Sequence, residues 1–209
     1  MADSLEKIAA EVSVCVRCPL HQSRLKAVPG EGPVKAAIMF IGEGPGFHEN
    51  QSGRPFVGNA GSFLIELLGS IGMKREDVFI CNVVKCRPPG NRDPEPQEIE
   101  ACREYLDRQI ELVDPKVIVT LGRFSMAPWF PDARISHIHG KSRQAGKRYI
   151  MPMYHPAAAL HQPSLRQAVL DDFKKLPKLV EEASRQWAVP GDGAEDNTSS
   201  SELKQLTLF

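Results

Sequence analysis

The sequence predicts an α/β protein with a mainly parallel sheet covered on both faces. Short apolar runs alternate along the chain with segments of helical periodicity. The runs are apolar at nearly every position, as in strands buried on both sides. The three most unusual segments, "GEGPG", "NVVKCRPPGNR" and "HPAA", lie at the ends of such runs. In open α/β sheets, ligands bind outside the carboxyl ends of the strands. Three sequence-distant loops are thereby expected at one edge.

In order along the chain, residues 3–16 place Leu5, Ile8, Ala9 and Val12 on one helical stripe. "AAIMFIG" (36–42) is the first strand, followed by a glycine-rich loop to about Gly58. Residues 59–72 carry Phe63, Leu64, Leu67 and Leu68 at helical spacing, and "DVFICNVV" (77–84) is the second strand. The proline-rich "PPGNRDPEP" leads to a helix over 96–113, whose acidic first turn suits the helix dipole. "KVIVTLG" (116–122) is the third strand, followed by a short helix. "RYIMPMYHP" (148–156) is the fourth, running into a loop, and a last helix covers 163–184.

The 209 residues hold 26 bases and 26 acids, so no net field selects partners. Residues 184–209 contribute four acids against two bases, which leaves the body slightly basic and permits a nucleic-acid surface. Asp3, Glu6, Lys7 and Glu11 interrupt any apolar stretch near the start, so no secretory signal is expected. The longest apolar run, about seven residues, falls far short of the ~20 that span a bilayer. These features point to a soluble cytoplasmic protein, where five cysteines argue against a disulfide framework and leave metal binding open.

Cys15 and Cys18 form a C-x-x-C pair. Cys86 follows the second strand and Cys102 lies on the next helix, while Cys81 inside "VFICNVV" reads as a small buried hydrophobe. Four thiolates suit zinc or an iron–sulfur cluster. A zinc ribbon usually uses two close pairs. The wide second spacing favours a larger centre without excluding zinc.

The loop from Ile41 to Gly61 does not match a dinucleotide fingerprint. Gly42, Gly44 and Gly46 alternate, Pro45 intervenes, and the helix begins more than ten residues later. It is not a phosphate-binding P-loop either. Its glycines allow close backbone approach to a planar or phosphorylated ligand. Glu43 and Glu49 are candidate general bases, and Phe56 reads as an exposed stacking platform. His155 stands at a strand end.

Together, "GEGPG…GRPFVGNAG", "CNVVKCRPPGNRDP", "MYHPAA" and the four cysteines resemble the family 4 uracil-DNA glycosylases over residues 10 to about 183. The resemblance implies a three-layer α/β/α sandwich around a four-stranded sheet. It implies a [4Fe–4S] cluster on Cys15, Cys18, Cys86 and Cys102, and hydrolysis of the uracil glycosidic bond in DNA. In that chemistry Phe56 stacks on the flipped base, with Gly42 and Gly44 lining its approach. Asn82 reads the base edge and His155 bonds its O2 side. Glu43 or Glu49 serves the water, and Asn91 is a further candidate to hold it. "FHEN" stands where the family carries more acids, and "HPAA" replaces the commoner serine-containing form. No basic insert follows the second strand, so ordinary turnover is expected rather than covalent capture.

The cluster is expected to staple the "KCRPPGNR" loop, leaving Lys85, Arg87 and Arg92 to meet DNA phosphates. Residues 1–186 form the expected glycosylase domain, monomeric and nucleoid-associated. Residues 187–209 are small, polar and acidic, a composition expected to be disordered. The closing "QLTLF" resembles a bacterial sliding-clamp motif, with Gln205, Leu206, Leu208 and Phe209 as anchors. Two competing readings remain: a non-catalytic iron–sulfur nucleic-acid binder of the same fold, and a zinc-stabilised nucleotide hydrolase.

Overall fold

The structure, a computed structural model, describes residues 3–187. The tail and its Gln205, Leu206, Leu208 and Phe209 lie outside the described residues.

Strands β1 (Ile38–Gly42), β2 (Phe79–Asn82), β3 (Val117–Leu121), β4 (Arg143–Ala145) and β5 (Arg148–Met153) form one sheet, ordered β2-β1-β3-β5-β4. The four expected strands are the parallel part, β2-β1-β3-β5. The fifth corrects the expected count of four. β4 pairs antiparallel with β5, through a turn where Gly146 takes φ +59°. Its sequence, "RQA", is short and largely exposed, so no apolar run announces it.

Successive strand residues face opposite sides. Ile38 and Phe40 therefore enter one core, and Met39 and Ile41 the other. Over the first face pack α3 (Asn59–Gly69), α7 (Pro156–His161), α8 (Arg166–Phe173) and α9 (Leu176–Trp187). Phe40 stacks on Phe173 there at 5.7 Å between ring centroids. Truncating such a buried ring costs about 3–5 kcal/mol. Over the second face pack α1 (Leu5–Val14) and α4 (Pro96–Val113). These are the three expected layers.

Two helix boundaries differ from expectation. The single helix over 163–184 is two, because Pro177 has no amide to donate and its ring would clash with the preceding turn. The glycine loop contains α2 (Phe47–Ser52), closed by Gly53 at φ +78°. Short helices α5 (Arg123–Met126) and α6 (Ile135–Ile138) complete the set. No helix among the described residues is long and apolar enough to cross a membrane.

Candidate active site

At the carboxyl ends of the parallel strands lies a cleft of about 480 Å³, within the usual range for small-molecule sites (roughly 300–1,000 Å³). Glu43, Gly44, Glu49, Phe56, Asn82, Asn91 and His155 all line it. Gly42 lies beneath, opposite Asn82 in the β1–β2 register. A Cβ on Gly42 would sit 2.4 Å from Asn82 Oδ1 and 2.8 Å from the Phe56 ring. Only glycine lets the amide and the ring meet over β1.

Asn82 ends β2 and is 1% exposed, yet its Oδ1 has no hydrogen-bond partner. Leaving a buried acceptor unmet costs about 1–3 kcal/mol. This unmet acceptor belongs to a residue that lines the cleft.

Phe56 is not the exposed platform expected, being only 5% exposed. Its backbone adopts φ +49°, unusual for a bulky residue. Arg75 holds this turn: Nη1 donates to the Phe56 carbonyl at 2.9 Å, and Nη2 donates to the Pro55 carbonyl. Arg75 Nε donates to Glu31 at 2.6 Å. Glu31 is in turn tied to β2 by reciprocal backbone bonds with Ile80, of 2.9 and 2.8 Å. Sequence reasoning missed Arg75, since nothing near it in the chain marks a site. It also missed His161, which lines the cleft from α7.

The His155 ring stacks on Phe56 at 5.5 Å. His155 caps α7, and its Nδ1 accepts the Ala157 amide hydrogen at 3.1 Å. That bond places the ring proton on Nε2. Burial lowers the His155 pKa to about 4, against a smaller opposing effect of Glu49. At neutral pH the ring is an uncharged donor through Nε2.

The two glutamates differ. Glu49 accepts from the amides of Gly46 (3.1 Å), Val57 (2.9 Å) and Gly58 (3.1 Å), pinning both limbs of the loop around α2. Glu43 is half-buried: desolvation, then Asp93, raise its pKa, and Arg123 opposes them. Among the described residues, no backbone amide donates to its carboxylate as three do to Glu49. Asn91, with φ +56°, accepts from Arg87 Nε at 2.7 Å.

The expected phosphate-contacting trio is corrected in part. Lys85 is 1% exposed and points into the protein. Its Nζ is held there by the Asn82 carbonyl at 2.8 Å and Gln109 Oε1 at 2.6 Å. Arg92 is paired with the buried Glu98 through two bonds of 2.8 and 2.6 Å, and keeps partial exposure.

Cys15, Cys18, Cys86 and Cys102 line one enclosed apolar cavity between α1 and α4. Cys81 is fully buried elsewhere in the core. Among the described residues, no three His, Cys, Asp or Glu side chains converge as ligands of a single ion. The Lys85 amide donates to Cys102 Sγ at 3.3 Å, and Arg24 reaches Cys86 Sγ at 3.6 Å. Burial pushes the Cys102 thiol up to about 11 and raises Cys18 and Cys86 too. Bare thiolates are costly here. A bound cationic centre spanning the cavity, with donors already aimed at two sulfurs, fits this donor set.

Residues 29–180 match the family model described as the uracil DNA glycosylase superfamily. The chain is 53% identical over 188 residues to the type-4 uracil-DNA glycosylase of Sulfurisphaera tokodaii, covering 85% of this chain and 86% of that protein. It is 47% identical over 186 residues to that of Archaeoglobus fulgidus, covering 85% and 94% respectively. With that of Thermotoga maritima it shares 44% over 182 residues, covering 84% and 94%. A cleft built on strand ends, a neutral histidine and this similarity agree: the chain belongs to the uracil DNA glycosylase superfamily, on its type-4 branch.

Proposed function

We propose that the protein excises uracil from DNA, hydrolysing the N-glycosidic bond and leaving an abasic site for base excision repair. The observation that carries this is the buried, unpartnered Oδ1 of Asn82 in a cleft walled by Phe56 and His155. Uracil offers N3–H to that oxygen, and its O4 accepts from the Asn82 amide. Cytosine presents an acceptor at N3 and a donor at the exocyclic amine, so both contacts fail. The base reaches the cleft only when flipped from the stack.

The reaction follows from the same residues. As the C1′–N1 bond breaks, its electron pair moves onto uracil and spreads to O2. The His155 Nε2–H bond strengthens as that charge grows, which lowers the barrier. The Glu43 carboxylate faces the cationic sugar and takes a proton from the attacking water, whose oxygen bonds to C1′. Asn91 stands at the cleft mouth to hold that water. Glu49 keeps the loop shape.

Cys15, Cys18, Cys86 and Cys102 would hold a [4Fe–4S] cluster, a structural centre that fixes the loop after β2. The QLTLF terminus supports recruitment to a bacterial sliding clamp through Gln205, Leu206, Leu208 and Phe209. A peptide of residues 200–209 that fails to bind the clamp at high micromolar concentration removes that part.

The test is release of free uracil, followed by chromatography, from uracil-containing oligonucleotides. Uracil appears with wild type and falls sharply with His155→Ala. Tight DNA binding without release supports the non-catalytic alternative.

A further inference from the structure

Lys85 is a buried cation that the proposed reaction does not use. It is 1% exposed, among the largest fully buried side chains. Its Nζ donates to the Asn82 backbone carbonyl at 2.8 Å and to Gln109 Oε1 at 2.6 Å. Gln109 is fixed in turn, donating to the Pro29 carbonyl at 2.7 Å. The Lys85 carbonyl accepts from Val28 at 2.8 Å. Both acceptors of the ammonium are neutral, and among the described residues no carboxylate lies within ion-pair distance of it. A buried charge without a counter-charge is strongly disfavoured. Yet Lys85 also lines the four-cysteine cavity, and its own amide bonds Cys102 Sγ.

We infer that Lys85 is a positioning residue joining the four-cysteine site to the base pocket: the anionic thiolate cage retains its ammonium, which fixes the Asn82 backbone. This rests on the reading of the cysteines as cluster ligands and of Asn82 as the base reader. Two sites that share no lining residue are thereby connected through one side chain. The cage sets the charge balance that keeps Lys85 inside, and Lys85 sets the height of the peptide from which the Asn82 amide projects. Cluster integrity and uracil affinity become linked without any redox step.

The experiment uses the iron-loaded full chain. Iron release to a ferrous chelator is followed by absorbance. Steady-state kcat and KM on a uracil oligonucleotide are measured per bound cluster. Lys85→Met removes the charge at similar shape. It is expected to speed iron release about tenfold or more, as lost outer-sphere partners do. It should also raise KM more than it lowers kcat. Gln109→Glu instead gives the ammonium a private carboxylate. Iron release should quicken while the Asn82 bond, and kcat/KM per cluster, stay within about twofold.

Wild-type iron release in both variants overturns the inference. So does a Lys85→Met protein that loses iron faster but keeps wild-type kcat/KM per cluster. If Lys85→Met yields no folded protein, the Gln109→Glu release rate decides. Wild type that holds iron but frees no uracil contradicts the glycosylase reading instead, and the release rates still judge the cage. Wild type purified without iron overturns both the cluster and the inference.

Discussion

The Phe56 ring stacks against the His155 imidazole, with centroids 5.5 Å apart and planes 26° from parallel. One ring comes from the loop after β1 and the other from just past the end of β5, so the parallel order β1-β3-β5 brings this wall together. Phe56→Ala should therefore weaken uracil-DNA binding by about 1–3 kcal/mol, the usual worth of base–aromatic stacking. Loss of His155 packing should accompany it. Steady-state KM on a single-stranded uracil oligonucleotide reads the effect.

Glu43 and Glu49 should separate by kinetics. Glu43→Gln is expected to lower kcat by about 10²–10⁴-fold with KM nearly kept, as for loss of a general base. Glu49→Gln should instead raise KM and lower the melting temperature, because one of the two oxygens that accept from backbone amides becomes an NH2 donor facing an amide. The reverse pattern would exchange their roles.

The acid limb of kcat/KM should belong to Glu43. Its pKa is raised above 4.5 by burial and Asp93, whereas His155 protonates only near 4. Activity should fall as Glu43 gains its proton. In Glu43→Gln the residual limb should move down toward about 4. A limb unchanged by that substitution contradicts the assignment.

His155 also ties stability to pH. Its folded pKa of about 4 lies below the ordinary 6.5, so the unfolded chain binds the extra proton between those values. The contribution of the neutral ring is complete above 6.5 and declines as pH falls toward 4. Urea unfolding at about pH 7 and about pH 4.5 should show a smaller acid loss for His155→Gln than for wild type.

Gly42→Ala should leave the protein folded but nearly inactive. The added methyl meets Asn82 Oδ1 at 2.4 Å and the Phe56 ring at 2.8 Å, an overpacking worth about 1–3 kcal/mol. Circular dichroism together with uracil release separates the two effects.

The parallel strands were legible because Ile38–Ile41 and Val117–Leu121 are apolar at successive positions, apart from Thr120, and pack on both faces. β4 was not, since an exposed edge strand needs no apolar pattern. Glu43, Asn82 and His155 could be placed because strand ends are fixed by the sheet. Phe56 misled: a phenylalanine in a polar glycine loop looks exposed, but a long-range clamp from Arg75 turns it inward. Lys85 misled for the same reason. A lysine in a basic loop reads as a surface charge until Gln109, 24 residues away, closes over it. Contacts of this kind are set by tertiary packing, which local pattern does not encode.

The central claim is best tested by incubating a uracil-containing oligonucleotide with wild type and Asn82→Ala, then treating with alkali. Strand scission at the uracil position is expected for wild type, with a loss of about tenfold or more for Asn82→Ala, as when a paired base-edge contact is removed. An iron-loaded wild-type protein that leaves no alkali-labile site would contradict it, and so would an Asn82→Ala protein that cleaves as fast as wild type.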